Sequence, residues 1–390
     1  MATHKDGPIR VYHFLPGNAV GGISNQTLAI ANRLEGNGFE QVVVTPQESG
    51  PFLDNVSETG IEVRQWPYRL PRHLHGLDDA IHDLDWTVRF GPSVLALYRR
   101  FRREKVDVVH INGLLLLEPA IAAYLSDVDV VWYLVSDDIY PAWLVRLLIP
   151  VVERIATEVA VISEENLSFY RQSKNDTTIV PGAIDVANLR TDEPGDGTLA
   201  ALEERYGTGE ADAVVATLAK VHPMKGQEYA IEALSHLDHD VHYLIVGPKK
   251  DDEYVAELNR LRSTHGLEDR VHITGFVDDK TAVLSLADIY LLPSIGEGTP
   301  LSIMEALVRR LPVVATDVGG VSELLDHGSA GQLVEKRSPE ALANALRGYL
   351  RDPDLASRHA QRGCELISER YAVETVAESY RDLYEACIDG

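Results

Sequence analysis

The chain of 390 residues is 45% apolar and 25% charged, ordinary for a globular protein but long for one core, so two domains are expected. Its formal charge of −24 is spread along the chain with lysine scarce beside arginine; this excludes a broad nucleic-acid-binding face and suits a cytoplasm at high salt, where screening makes self-repulsion tolerable. Only Cys364 and Cys387 are present, which excludes a disulfide framework and a cysteine metal site, and no apolar run reaches the length of about eighteen residues that spans a bilayer.

The N-terminus lacks the apolar region of a signal peptide, so a cytoplasmic protein of a halophilic organism is expected. "IRVYHFL" from Ile9 reads as a strand, and "ISNQTLAIANRLEGNG" as a helix ending at Gly36 or Gly38. "EQVVVTP", "VDVVHIN", "DVVWYLV" and "EVAVIS" follow as strands buried on both faces, the pattern of a parallel sheet covered by helices. "PAWLVRLLIPVVERIA" is interrupted by Arg146, Pro150 and Glu153 and reads as a core helix between two strands. The chain turns loop-like near Pro181, and "RTDEPGDGT" from Arg190 is a linker or surface excursion. The rhythm then restarts with the strands "AVVATLA", "VHYLIVG", "RVHITGF", "DIYLLPS", "LPVVATD" and "AGQLVE", and ends in an amphipathic helix from about Val373 to Cys387. Two consecutive halves of this kind predict an α/β chain of two Rossmann-like domains whose parallel sheets face a central cleft, with ligands at the carboxyl ends of the strands.

Three loops carry candidate chemistry. In "EGTPLSIMEAL", Thr299 is read as the cap and Pro300 as the first residue of a helix starting near Leu301, whose free N–H groups suit an anion. Glu297 and Glu305 bracket it; carboxylates repel phosphate but accept from sugar and ribose hydroxyls. In "ATLAKVHPMKG", Lys220 and Lys225 follow a strand and suit a diphosphate. In "PGNAVGGISNQ", Gly21 and Gly22 let backbone approach a ligand at a helix start, without the dinucleotide-binding spacing of glycines.

In order and spacing, "AKVHPMKGQEYAIEAL", "LIVG", "VHITGFV", "ADIYLLPS", "EGTPLSIMEAL", "PVVATDVGGVSELL" and "GQLVEKRSPEALANAL" resemble the family 4 retaining glycosyltransferases of the GT-B fold, and the resemblance covers nearly the whole chain. It implies a metal-independent hexosyltransferase with no cofactor, using a nucleotide-sugar, UDP- or GDP-linked, as substrate. Glu297 then contacts the donor sugar, Glu305 the ribose, and Lys225 and Lys220 the diphosphate, Lys220 standing where the family usually has arginine. Backbone of Gly298, Thr299, Pro300 and Leu301 would line the sugar and phosphate pocket, Phe276 and Val277 would meet the base, and Gly22 would close over the phosphates.

The first half departs from the family pattern. Asn112 occupies a position usually held by histidine near the reacting carbon, and it cannot carry a proton or a positive charge. Asp137 replaces another histidine, and "VPGAID" replaces the usual P-N-G-I-D while keeping Asp185. The resemblance divides the chain into 1–185, binding acceptor, 186–370, binding donor, and a helix over 371–390 crossing back to the first domain. The acceptor would be a hydroxyl compound such as a glycolipid, a lipid-linked oligosaccharide or a polysaccharide precursor. Alternatives on the same architecture are a sugar-nucleotide epimerase, a starch-synthase-like enzyme and a decayed nucleotide-sugar-binding subunit. Arg99, Arg100, Arg102, Arg103 and Lys105 suit either peripheral membrane contact or a solvated helix end. His73, His75 and His82 have the composition of metal ligands but read as an acceptor-side loop and helix, and Asp137 with Asp138 is a weak carboxylate pair.

Overall fold

Continuous valine- and isoleucine-rich runs cannot leave either face in water, and they assemble as the sequence predicts, into parallel sheets. The computed structural model describes every residue except 1–6, 19–21, 49, 57–59, 71–76, 135–141, 165, 168–176, 278 and 390. The chain divides into two compact units: Met1–Ala183 with Val373–Gly390, and Ile184–Ala372.

In the first unit the sheet runs β3-β2-β1-β4-β5-β6-β7, every pair parallel. The strands are β1 Ile9–Phe14, β2 Phe39–Pro46, β3 Glu62–Trp66, β4 Val108–Asn112, β5 Asp129–Leu134, β6 Glu158–Val161 and β7 Thr177–Ile179. The edge strands β3 and β7 are absent from the sequence expectation. Helix α1, Gly22–Leu34, follows β1 and is succeeded by Gly36 and Gly38 with positive φ, as the sequence predicts for its end. Helices α2 Pro51–Val56, α3 Leu77–Glu104, α4 Leu117–Leu125 and α5 Ala142–Ile155 complete the crossovers. Helix α5 buries Val145, Ile149 and Val152 but leaves Trp143 and Leu147 largely in solvent, so it is a surface helix where a core helix was expected.

The last helix, Val373–Asp389, packs on α1 and β5 within this unit. Beneath it lie His13 and His110, rings 5.1 Å apart and fully buried. Nδ1 of His110 shares a 2.7 Å hydrogen bond with the Tyr384 hydroxyl, and Nε2 of His13 one of 2.5 Å with Gln41 Oε1. Burial favours the neutral ring, lowering His13 to about 4 and His110 well below the usual histidine value.

In the second unit the order is β10-β9-β8-β11-β12-β13, again all parallel. These strands are β8 Ala213–Leu218, β9 Val241–Val246, β10 Val271–Gly275, β11 Ile289–Leu292, β12 Val313–Thr316 and β13 Gln332–Val334. Connections reverse direction between β1 and β4 in one sheet and between β8 and β11 in the other, which opens a crevice at the carboxyl ends of those strands.

Candidate functional site

The reversal between β8 and β11 brings together two loops far apart in sequence. After β8 the chain passes Lys220, turns through a 3₁₀ segment Pro223–Lys225, and enters the helix Gln227–Leu234. After β11 it runs through Pro293 and Ser294 to Glu297 and into the helix Leu301–Val308. The Ile295 N–H donates to the Met224 carbonyl at 2.9 Å, tying one loop to the other. Gly226 sits at the crossing with φ +62°, and a Cβ there would lie 2.1 Å from the Pro293 carbonyl oxygen, so only glycine fits.

This packing joins Lys225 to Glu297. Lys225 Nζ donates to Glu297 Oε1 at 2.6 Å, and Ser294 Oγ donates to the same oxygen at 2.6 Å. The carboxylate is 8% exposed and the ammonium 18%. Ser294 is buried, and its carbonyl accepts from Thr316 Oγ1 at 2.5 Å. From below, Gly320 N–H donates to the Gly298 carbonyl at 2.8 Å. Gly319, at φ +56°, approaches so closely that a Cβ would stand 1.9 Å from the Glu297 carbonyl oxygen. Ser294, Thr316, Gly319 and Gly320 are supports that the sequence reading missed; the Gly-Gly pair in "PVVATDVGGVSELL" was the available signal.

Glu305 lies one turn into the Leu301–Val308 helix and pairs at 2.7 Å with Lys280, a partner the sequence reading also missed. Its carboxylate is largely shielded while Lys280 is half in water, so the pair is open to exchange with a ligand hydroxyl. The helix starts at Leu301 as predicted, but the cap differs from expectation. Pro300 holds the cap position at φ −72°, ψ 110°, and no side chain caps the helix. Thr299 Oγ1 is buried without a hydrogen-bond partner, so it is not the cap. The first turn therefore keeps uncapped N–H groups, an arrangement that attracts negative charge.

Lys220 has an exposed side chain, and its carbonyl accepts from buried Gln227 Nε2 at 3.0 Å. Phe276, just beyond β10, is 72% exposed, and Val277 packs against the core. The second unit thus joins the buried Lys225–Glu297 pair to an uncapped helix start that carries the shielded Glu305, while Lys220 in the loop after β8 and Phe276 after β10 are exposed.

In the first unit Gly22 is the first residue of α1, while Gly21 and Asp137 lie outside the described residues. Asn112 ends β4, is buried, and donates through Nδ2 to the Phe14 carbonyl at 3.2 Å, so one amide proton closes the carboxyl end of β1. Asp185 caps the helix Val186–Thr191 through the Asn188 N–H. Arg99, Arg102, Arg103 and Lys105 are exposed, but Arg100 lies half-buried over the Trp66 ring at 5.2 Å, so the basic run is not one continuous exposed patch. His73, His75 and the His82 side chain lie outside the described residues. Among the described residues, no cluster of three metal-binding side chains occurs, and no helix is long and apolar enough to cross a membrane.

The family described as "Glycosyl transferases group 1" matches residues 201–365, and "Glycosyltransferase Family 4" matches residues 20–188. An alpha-D-kanosaminyltransferase of Streptomyces kanamyceticus is 34% identical over 191 residues, 47% of this chain and 48% of that relative, so the chain spans about half the length of that curated relative. An N-acetyl-alpha-D-glucosaminyl L-malate synthase of Bacillus anthracis is 23% identical over 84% of this chain and 90% of the relative. The crystal structure of Anabaena Alr3699/HepE in complex with UDP and glucose superposes with a TM-score of 0.79 at 22% identity, covering 97% of this chain and 99% of that one. That likeness shows the fold: α/β, of the GT-B class, with two parallel sheets.

Proposed function

The chain belongs to the group 1 glycosyl transferases of family 4, and from that premise we propose that it moves a sugar from a nucleotide-sugar donor to a hydroxyl acceptor with retention at the anomeric carbon. The observation that carries this reading is the buried Lys225–Glu297 pair set beside an uncapped helix start at the carboxyl ends of β8 and β11. In this reading the second unit binds the donor and the first binds the acceptor. UDP or GDP is the nucleotide; the structure of HepE with UDP and glucose supports a UDP-sugar.

The geometry suggests how the reaction proceeds. A ligand diphosphate meets the remaining N–H groups of Lys225, while Glu297, held at Oε1 by Lys225 and Ser294, accepts from sugar hydroxyls at its other oxygen. Lys220, Lys225 and the Leu301 helix start stabilise the charge that grows on the diphosphate as its bond to the anomeric carbon breaks. The acceptor oxygen forms its bond to that carbon on the same face, and its proton passes to a diphosphate oxygen. Glu305 holds the ribose hydroxyls, and Phe276 with Val277 flanks the base. Asn112, in the first unit, keeps a second amide proton where the family pattern has a histidine that could carry charge. No residue role here calls on a metal or cofactor. The acceptor is a glycolipid, a lipid-linked oligosaccharide or a polysaccharide precursor, reached by a cytoplasmic enzyme.

Donor turnover tests this reading. Purified protein in high salt is incubated with UDP-, GDP- and ADP-sugars, with and without a cell lipid extract, and released nucleoside diphosphate is followed. Acceptor-dependent release from one donor, abolished in Glu297→Ala, supports the transferase; tight donor binding without release under any acceptor overturns it.

A further inference from the structure

A second concave site lies in the first unit, at the carboxyl ends of β2 and β3, between α3 and the start of α4. Gln47 and Glu48 follow β2, and Pro67, Tyr68 and Arg69 follow β3. The cavity has a volume of about 270 Å³. That is near the lower end of small-molecule sites, roughly 300 Å³ and upward.

Its floor holds Glu118, on the first turn of α4 and only 2% exposed. Glu118 Oε2 accepts from the Arg69 N–H at 2.8 Å. A buried carboxyl is costly unless polar groups meet it, and here the Arg69 N–H and the Ser93 hydroxyl do so. The rim holds Arg69 and Arg89. Both guanidiniums bond to Asp85, Arg89 through Nε at 2.6 Å, and each keeps further N–H groups for a ligand. Pro67, Pro92 and Ala96 make the wall apolar.

The charges decide between ligand classes. Two guanidiniums share one carboxylate, and Glu48 offsets the remaining positive charge, so the rim is close to neutral. An anion would meet Glu48 and Glu118, and a cation would meet two arginines. A neutral ring bearing hydroxyls satisfies both sets: carboxyls accept, guanidinium N–H groups donate, and the C–H face of the ring lies on the prolines. We infer that this cavity seats an uncharged pyranose ring of the acceptor, held by Glu118, Arg69 and Arg89. The inference rests on the transferase reading, in which the first unit binds the acceptor. Burial raises Glu118 to about 7, against the pull of the Arg69 N–H. Near neutral pH the group both accepts and donates, and a hydroxyl pairs with either form.

Saturation-transfer NMR on the full chain with methyl α-glucopyranoside, methyl α-mannopyranoside and methyl α-galactopyranoside reads the cavity directly. Glycerol phosphate serves as the anionic probe, and UDP and GDP binding is measured on the same samples. Three variants are compared: Glu118→Gln, Arg89→Gln at the exposed rim, and Ala96→Trp, which fills the cavity from α3. At least one glycoside should bind the wild type, and its affinity should fall about tenfold in Arg89→Gln, one charge-assisted hydrogen bond's worth. Binding should vanish in Ala96→Trp while nucleotide binding is unchanged in every variant. Glycoside binding that survives Ala96→Trp, absence of glycoside binding beside intact nucleotide binding, or binding of glycerol phosphate alone overturns the assignment. Absence of UDP and GDP binding in the wild type sinks the transferase reading instead, whatever the glycosides do.

Discussion

Lys225 and Ser294 both donate to one oxygen of Glu297, so the carboxylate that should orient the donor sugar is fixed before any donor arrives. Removing the ammonium should cost the reaction twice over, through leaving-group charge and through Glu297 geometry. Lys225→Ala is expected to lower donor turnover by roughly 10²–10³-fold, the scale of losing one oriented charge-stabilising donor. Lys225→Arg should recover part of that loss. Steady-state release of nucleoside diphosphate measures both; a turnover within about twofold of wild type for Lys225→Ala would remove Lys225 from the site.

Gly319 supports Glu297 from below, and its replacement tests that support separately from charge. Gly319→Ala places a Cβ 1.9 Å from the Glu297 carbonyl oxygen in a left-handed backbone. The backbone alone costs about 1–2 kcal/mol, and the clash must move the loop as well. Turnover should fall together with the melting temperature. Gly266→Ala is the control, with φ +63° and open space around it. It should lose stability on the order of 1 kcal/mol and keep turnover.

Acid should weaken the first unit through its buried histidines. His13 is held at about 4 against an ordinary 6.5, so the unfolded chain takes up a proton that the folded chain refuses. Its contribution is fully present above pH 6.5 and is lost as pH falls from there toward 4, by roughly 3 kcal/mol. His110 acts in the same direction. Glu118 acts oppositely: raised from 4.5 to about 7, it favours the folded state most below pH 4.5 and loses that contribution as pH rises through 7. Urea midpoints between these limits should therefore fall on acidification, and fall more steeply in Glu118→Gln, where the opposing group is gone. A midpoint flat with pH in both proteins would contradict the burial argument.

Tyr384→Phe removes only the hydroxyl that meets His110 Nδ1. Nε2 of that ring is already buried without a partner, so the variant leaves both nitrogens unpaired. The expected loss is about 1–3 kcal/mol, read as a lower denaturant midpoint. Donor binding should be unaffected, because no part of the Lys225–Glu297 site changes.

The charge of −24 gives the last expectation. Raising KCl from about 0.1 M to about 2 M shortens the screening length from roughly 10 Å to under 3 Å and relieves repulsion across the surface. The melting temperature should rise over that range. A midpoint that stays level would mean that the acidity serves solubility alone.

Much of this was legible in the sequence because buried parallel strands are written as unbroken apolar runs. The strand Glu62–Trp66 was not, since "EVRQW" sits at a sheet edge and carries charged and polar side chains toward solvent. Thr177–Ile179, at the other edge, is too short to show a period. Glu297, Lys225 and Glu305 were singled out by residue type and spacing and given their roles by the family resemblance. The pairing of the first two was out of reach, since 72 positions separate them and only the adjacency of β8 and β11 joins their loops. The capping role given to Thr299 failed because a good cap residue does not fix its own backbone; proline at the next position took the extended conformation first.

The chain leaves its first unit after Ala183 and re-enters it at Val373, so that unit is written in two pieces separated by the whole of the second. Ile184 N–H donates to the Tyr371 carbonyl at 2.9 Å, clasping the outgoing and returning strands of the chain together. On the ribosome, the part made first is thus the part finished last. The flank holding His13, His110 and Tyr133 stays open until the final helix has been synthesised, whereas Ile184–Ala372 is complete in one stretch. A premature stop within the last few turns would strand a finished second unit on an unfinished first one, and a gene fragment meant to isolate the first unit must splice the final helix back onto it.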